Sequence, residues 1–178
     1  GGNKLIMANH PTLIDVIFLV SLFPMADCVV KHAVFKNPFM RGVVKPARYI
    51  SGGSPGKMLD TCVRRLNSGS SLLLFPEGTR SVYGQPLQFK LGASSIATRS
   101  KAEILPIFIR CTQPKFLAKH QPWYKVPPAK PCFSIRIHHP VSVEMLIPGD
   151  LSPRDSTRAL NKALIKLFEE DTQTASCP

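Results

Sequence analysis

No run of about 18 uncharged apolar residues occurs in this sequence, so none of it reads as a membrane-spanning helix. The longest candidate, Leu13 to Val30, is interrupted by Asp15, Pro24 and Asp27. The five cysteines (Cys28, Cys62, Cys111, Cys132 and Cys177) include no C-x-x-C pair. An odd count without metal-type spacing predicts reduced thiols in a cytosolic setting. No G-x-S-x-G elbow is present, which argues against a serine hydrolase. Gly53-Ser54-Pro55-Gly56-Lys57 hints at a phosphate loop, but a Walker motif needs Gly at 51 and Ser or Thr at 58, where the chain has Ser51 and Met58. Acidic residues are scarce, 11 against 23 Lys plus Arg, for a formal net charge of +12. That field favours an anionic partner: nucleic acid, an anionic membrane or a phosphate-bearing substrate.

What is present describes a globular chain. At 178 residues, 44% hydrophobic and 19% charged, it reads as a single domain that buries roughly 70% of its unfolded surface. No signal peptide is visible. The chain opens on Gly1-Gly2 and reaches a strand-like block at once, so it reads either as a domain cut from a longer protein or as one whose initiator has been replaced, and an upstream membrane anchor stays open.

Strand-like and helix-like segments alternate. Leu5 to Ala8 is a short apolar run ending at Asn9-His10, read as a buried strand. Pro11 suits the first turn of a helix that continues to Pro24. Asp27 to Lys31 reads as a second strand, 39–44 as a short helix in a turn-rich region, and Arg48 to Ser51 as a third strand. Lys57 to Leu66 carries a helical apolar stripe. Ser71 to Phe75 is a core strand, Phe89 to Arg99 a helix, and Ile104 to Ile109 a strand broken or edged by Pro106. Residues 113–131 are Pro-rich and irregular. Cys132 to His138 alternates as a strand, with Phe133, Ile135 and Ile137 on one face. Ser152-Pro153 opens a last helix on Leu160, Leu164, Leu167 and Phe168, with fraying expected after Glu170. This alternation implies an α/β layered domain with a mixed, mainly parallel sheet flanked by helices. The core spans about 3–140 and the C-terminal helix about 152–170. Ligands of such sheets sit beyond the carboxyl ends of strands, where His10 and Glu77 both fall.

Two blocks carry chemistry. In Asn9-His10-Pro11-Thr12-Leu13-Ile14-Asp15, a His and an Asp stand five positions apart. Imidazole suits proton abstraction from a hydroxyl near neutral pH, and a carboxylate on one ring nitrogen fixes its tautomer. The spacing works if His10 sits in a strand-to-helix turn, one residue beyond the i,i+4 stack. H-x₄-D by itself is a weak pattern. In Phe75-Pro76-Glu77-Gly78-Thr79-Arg80, Arg80 can fork onto a phosphate or carboxylate. Gly78 permits close approach and offers an N–H to a developing oxyanion. Glu77 has two readings, binding a substrate hydroxyl or positioning Arg80. The structural alternative for this block is a surface turn in which Glu77 and Arg80 pair. His138-His139 reads as a surface turn. Trp123-Tyr124 reads equally as a membrane-interface insertion or as an anchor for its loop.

In this order the two blocks resemble the first and third signature blocks of the glycerolipid acyltransferase superfamily, typified by 1-acylglycerol-3-phosphate acyltransferases. Phe89-Lys90-x-Gly92-Ala93 is similar to the family's F-K-x-G-A segment, and Ile104-Leu105-Pro106-Ile107 to its fourth block. Lys31 with Pro38 and Gly42 resembles the run between the first two blocks. The likeness covers roughly residues 3–140. It implies O-acyl transfer with His10 as general base and Asp15 orienting it. It further implies substrate binding by Glu77, Gly78, Thr79, Arg80, Lys31 and Lys90, with no metal or cofactor. The implied partners are an acyl-CoA or acyl-carrier-protein donor, a lysophospholipid or related lyso-lipid acceptor and an anionic membrane surface, with no nucleic acid. The implied location is the cytoplasmic face of a membrane, the chain being peripheral or anchored by a segment outside it. One block departs from the family: Tyr49-Ile50-Ser51-Gly52 lacks the Asp and Arg of the usual F-I-D-R, with only Arg48, Lys45 or Arg41 nearby. The N-H-P-T-L-I-D-V form also resembles a bacterial branch acting on lyso-ornithine lipids and aryl-polyene lipids. A reading from a different class is a non-catalytic basic module binding anionic lipid or nucleic acid.

Overall fold

The computed structural model describes residues 3–29, 49–50, 54–122 and 124–174. Lys31, Arg41, Lys45, Arg48, Trp123 and the helix expected over 39–44 lie outside the described residues. The elements are β1 (Lys4–Ala8), α1 (Asp15–Leu22), β2 (Asp27–Val29), β3 (Tyr49–Ile50), α2 (Pro55–Asn67), β4 (Leu72–Leu74), α3 (Leu91–Ser100), β5 (Glu103–Cys111), β6 (Phe133–Ile137), α4 (Val143–Leu146) and α5 (Pro153–Thr174).

A six-stranded sheet runs in the order β3-β2-β4-β1-β5-β6. All neighbours are parallel except β5 and β6, which are antiparallel. Central β1 faces Leu72 on one side and Ile104 on the other from Leu5. Its Leu-Ile-Met-Ala run is buried throughout, as a parallel strand covered on both faces requires. Alternate residues supply two cores. Leu5, Met7, Leu72, Leu74, Ile104 and Phe108 face α2, α3 and α5, while Ile6, Ala8, Leu73, Ile107 and Ile109 face α1.

Three elements differ from expectation. The first helix starts at Asp15, not Pro11. Residues 11–14 form a turn instead, because the Asp15 carboxylate reaches back to the Thr12 N–H and the Leu13 N–H donates to the Leu117 carbonyl at 3.0 Å. Pro106 neither breaks β5 nor edges the sheet; it stands between β1 and the end of β6. There its carbonyl accepts the His138 N–H at 3.1 Å, and the donor it lacks would only have extended a ladder that stops at Ile137. Finally, α5 does not fray after Glu170 but runs to Thr174. Asp171 accepts from Arg136 Nη1 at 2.6 Å and lies 3.1 Å from His138 Nε2, which ties the last turn to β6. Leu160, Leu164 and Phe168 are fully buried along α5. At about 1.5–3 kcal/mol per buried side chain, packing outweighs helix propensity in holding it.

Candidate active site

The site forms where β1 and β4 end. Asn9 continues the β1 ladder with its side chain: Nδ2 donates to the Ile109 carbonyl at 2.8 Å, and Oδ1 accepts the Ile109 N–H at 2.7 Å. This sets the direction in which the backbone leaves the sheet at His10. The imidazole then stacks on Phe75, with ring centroids 4.1 Å apart and planes 21° from parallel.

His10 Nδ1 lies 3.0 Å from Asp15 Oδ2. The same oxygen accepts the Thr12 N–H at 2.6 Å, and Oδ1 accepts the Thr12 hydroxyl at 2.5 Å. Asp15 is fully buried, so its carboxylate has two fixed local donors and one imidazole partner. With an acceptor-only carboxylate on Nδ1, the ring proton resides there and Nε2 becomes the basic nitrogen. Burial of Asp15, with His10 partly covered, keeps their mutual attraction strong.

The second block clasps the first. Glu77 Oε1 accepts the His10 N–H at 2.9 Å and the Ser81 hydroxyl at 2.8 Å, while the Ser81 N–H donates to the His10 carbonyl at 2.8 Å. Glu77 therefore grips the backbone of the histidine; no ion pair with Arg80 forms among the described residues. Burial raises its pKa above the usual carboxylate range, against the lowering effect of the two hydrogen bonds. Gly78 takes φ +66°, and a Cβ there would lie 3.1 Å from Lys90 Cδ and Cε. Its N–H, a candidate oxyanion donor by sequence, is committed to the Phe75 carbonyl at 3.0 Å. Lys90 lays its stem across this turn, and its own N–H donates to the Pro76 carbonyl at 2.8 Å. Thr79 is exposed.

Arg80 points elsewhere. Its Nη1 donates to the carbonyls of Leu117 and Ala118 at 2.9 and 3.0 Å. Leu117 has φ +51°, an uncommon conformation for a leucine. Its carbonyl receives both Arg80 and the Leu13 N–H. Arg80 thus braces the Pro-rich loop against the site; among the described residues its hydrogen bonds use Nη1, which leaves the three N–H groups on Nε and Nη2.

His10, Asp15 and Glu77 are brought together; Gly78 and Lys90 form the adjoining turn, and Lys31 lies outside the described residues. Sequence reasoning missed Thr12, Phe75, Ser81 and the bracing role of Asn9. All four fall inside or beside the two blocks, so position within a block was the available signal.

Similarity to known proteins agrees with this geometry. Over 115 residues the chain is 32% identical to the 1-acyl-sn-glycerol-3-phosphate acyltransferase of Helicobacter pylori, covering 61% of this chain and 48% of that protein. It is 32% identical over 112 residues to the chloroplastic 1-acyl-sn-glycerol-3-phosphate acyltransferase LPAT1 of Arabidopsis thaliana, covering 60% and 31% respectively. The chain thus spans less than half the length of these two relatives. In fold it matches the crystal structure of the 1-acyl-sn-glycerophosphate (LPA) acyltransferase PlsC from Thermotoga maritima. That match has a TM-score of 0.70 and 22% identity, over 99% of this chain and 69% of the other. Residues 1–110, which hold every residue of the clasped site, match the Acyltransferase family model, and the chain belongs to that family of glycerolipid acyltransferases.

Proposed function

We propose that this chain transfers a fatty acyl group from the thioester of acyl-CoA or an acyl-carrier protein to a hydroxyl of a lysophospholipid or related lyso-lipid. The observation that carries the reading is the His10–Asp15 contact of 3.0 Å in the turn that leaves β1. Nε2 of His10 takes the proton of the acceptor hydroxyl as its oxygen attacks the thioester carbonyl. The tetrahedral oxyanion collapses, the C–S bond breaks, and the imidazolium returns the proton to the departing thiolate. The products are an ester and a free thiol, and the balance needs no metal or redox group. Asp15 stabilises the imidazolium and holds the tautomer, an effect of the kind that contributes ~10²–10⁴-fold.

Glu77 holds His10 in register through its backbone. Arg80, with the donors the loop does not use, and Lys90, whose ammonium lies beside Gly78, supply positive charge for the acceptor's anionic group and the oxyanion. Thr79 and Lys31 complete the substrate contacts. A water-soluble donor and a lipid acceptor meet at the cytoplasmic face of a membrane, with the chain peripheral or anchored by a segment outside it; among the described residues no helix is long and apolar enough to cross one. Thiol release from acyl-CoA, measured with a panel of lyso-lipid acceptors, tests the reading. Acceptor-dependent release that disappears in His10→Ala is expected. Release that persists in the folded variant removes His10 from the chemistry.

A further inference from the structure

From Ile104 to Val143 the chain contains no Asp or Glu, yet it carries Arg110, Lys115, Lys119, Lys125, Lys130 and Arg136. The middle of this acid-free stretch is the loop between β5 and β6, at the same end of the sheet as His10. The first part of the loop packs inward through Ala118 and Phe116, but its tip does not: Val126 is 85% exposed and Tyr124 71%. Tyr83, from the segment that follows Arg80, is 66% exposed beside them. Tyr83, Phe116, Val126 and Pro127 line one groove of about 400 Å³, flanked by Lys115 and Lys125. That groove shares Tyr83 and Pro114 with a second cleft of about 230 Å³, whose inner wall is Asn9, Pro11 and Ser81. Those three residues are the chain neighbours of His10 and the hydroxyl partner of Glu77. A path therefore runs from an exposed loop tip, where it is apolar and flanked by Lys115 and Lys125, through a cleft that also holds Arg110 and Asp171, to the edge of the turn that carries His10.

We propose that this loop tip is the surface by which the protein rests on an anionic bilayer, and that lipid substrate reaches His10 along the groove. The composition fits a bilayer better than a protein or a nucleic acid. Protruding aliphatic and proline tips with tyrosines beside them match the acyl boundary and headgroup depth of a lipid leaflet. Lysines around them extend their ammonium groups to lipid phosphates. A nucleic acid offers nothing to Val126 and Pro127. Acid is scarce at the outer groove: Asp60, Glu103, Asp150 and Asp155 lie on other elements, and Asp171, which lines the inner cleft, accepts from Arg136 and lies 3.1 Å from His138 Nε2. The exposed apolar residues elsewhere, Met25 after α1 and Met145 in α4, stand outside the acid-free loop. Arg80 links docking to chemistry, because the loop it braces through Leu117 and Ala118 carries the docking tip. The link to His10 rests on the acyl-transfer reading; the docking itself does not.

The test is flotation of the full chain with vesicles of phosphatidylcholine and phosphatidylglycerol, and with phosphatidylcholine alone. Wild type and His10→Ala are expected to float equally with the anionic vesicles and weakly with the neutral ones. Partitioning falls roughly tenfold in Val126→Asp and about fivefold or more for each of Lys115→Glu and Lys125→Glu, while Met145→Asp and Met25→Asp float as wild type. A Trp123→Phe/Val126→Trp protein, whose one tryptophan then stands at the exposed tip, shifts its emission to the blue when anionic vesicles are added. The proposal is overturned if Val126→Asp and Lys125→Glu float as wild type, if Met25→Asp is the variant that detaches, or if the tryptophan emission does not move. Loss of acyl transfer in His10→Ala with flotation intact separates docking from catalysis. Intact flotation of a wild type that turns over no acceptor overturns the acyl-transfer reading alone.

Discussion

Asp15 and Asp27 are two carboxylates removed from water at opposite ends of one sheet. Asp15 opens α1 where β1 has just ended; Asp27 opens β2 at the other end of the parallel strands. They are 0% and 1% exposed. Their surroundings differ completely. Asp15 receives three hydrogen bonds or contacts within its own turn. Among the described residues neither oxygen of Asp27 has a hydrogen-bond partner, and the nearest cation is Arg65 Nε at 3.7 Å. Burial alone therefore says little about what a carboxylate does. Where the turn supplies donors before any imidazole arrives, the charge is held ready for a histidine. Where it does not, the charge is a cost to the fold.

The largest expected effect separates the two. Asp15→Asn keeps the shape of the turn but removes the charge that stabilises the imidazolium, and kcat/KM for acyl transfer is expected to fall ~10³–10⁴-fold. Asp27→Asn should leave kcat/KM within a few-fold. A comparable loss in both variants would break the distinction.

Glu77 sharpens it, as a third buried carboxylate that is hydrogen-bonded but raised in pKa. Glu77→Ala strands the His10 N–H and should cost about 1–3 kcal/mol in urea unfolding, with activity lost alongside. Glu77→Gln retains an oxygen for both donors. Because burial raises the folded pKa of Glu77 above the unfolded value of about 4.3, the folded state holds this proton more tightly. Stability from this group is therefore present at low pH and is lost as pH rises from the unfolded to the folded pKa. The Gln variant should match wild type below that window and exceed it above; parallel stability curves would show that the charge carries no penalty.

Gly78→Ala tests the turn that joins the two blocks. A left-handed alanine with its Cβ 3.1 Å from the Lys90 stem should lower stability by about 1–2 kcal/mol, read as a fall in Tm. The smallest effect lies beside Asp27. Burial pushes the Cys62 thiol up to about 11, with the Asp27 charge adding to it. Cys28 is pushed up to about 12 by burial. Alkylation at neutral pH should reach exposed Cys132 well before either. Asp27→Asn should quicken Cys62 modestly and Cys28 not at all, since burial alone raises the Cys28 thiol.

Much of the fold was legible because its strands are short apolar runs and its helices carry stripes. Leu5 to Ala8, Leu72 to Leu74 and the alternation from Phe133 to Ile137 need no tertiary information to read as strands. What failed to read were choices made between distant segments. Asp15 rather than Pro11 starts α1, because Thr12 and Leu117 hold the turn open. Pro106 sits inside the sheet, because β6 ends beside it. Asp171 keeps the last turn of α5, because Arg136 and His138 wait on β6. In the site, the pairing of His10 with Asp15 was legible from their spacing once the Phe75–Arg80 block stood in order behind it. The grip of Glu77 on the His10 backbone and the bracing of the loop by Arg80 were not. Both link residues more than thirty positions apart, and both join a side chain to a main-chain group, which carries no residue-specific mark.

The sequence by itself determined the layered α/β class, the paired buried faces of the central strands and the His10–Asp15 pair as the candidate base and its partner. These follow from periodicity and from the chemistry of residues a few positions apart. Only the tertiary structure decided that the second block serves as a clasp for the first, that the Gly78 N–H is spent within its own turn, and that an acid-free loop presents apolar tips next to the catalytic edge. Hydrogen bonds between a side chain and a distant backbone, and the sharing of a surface by two loops, exist only once the sheet has brought those segments together.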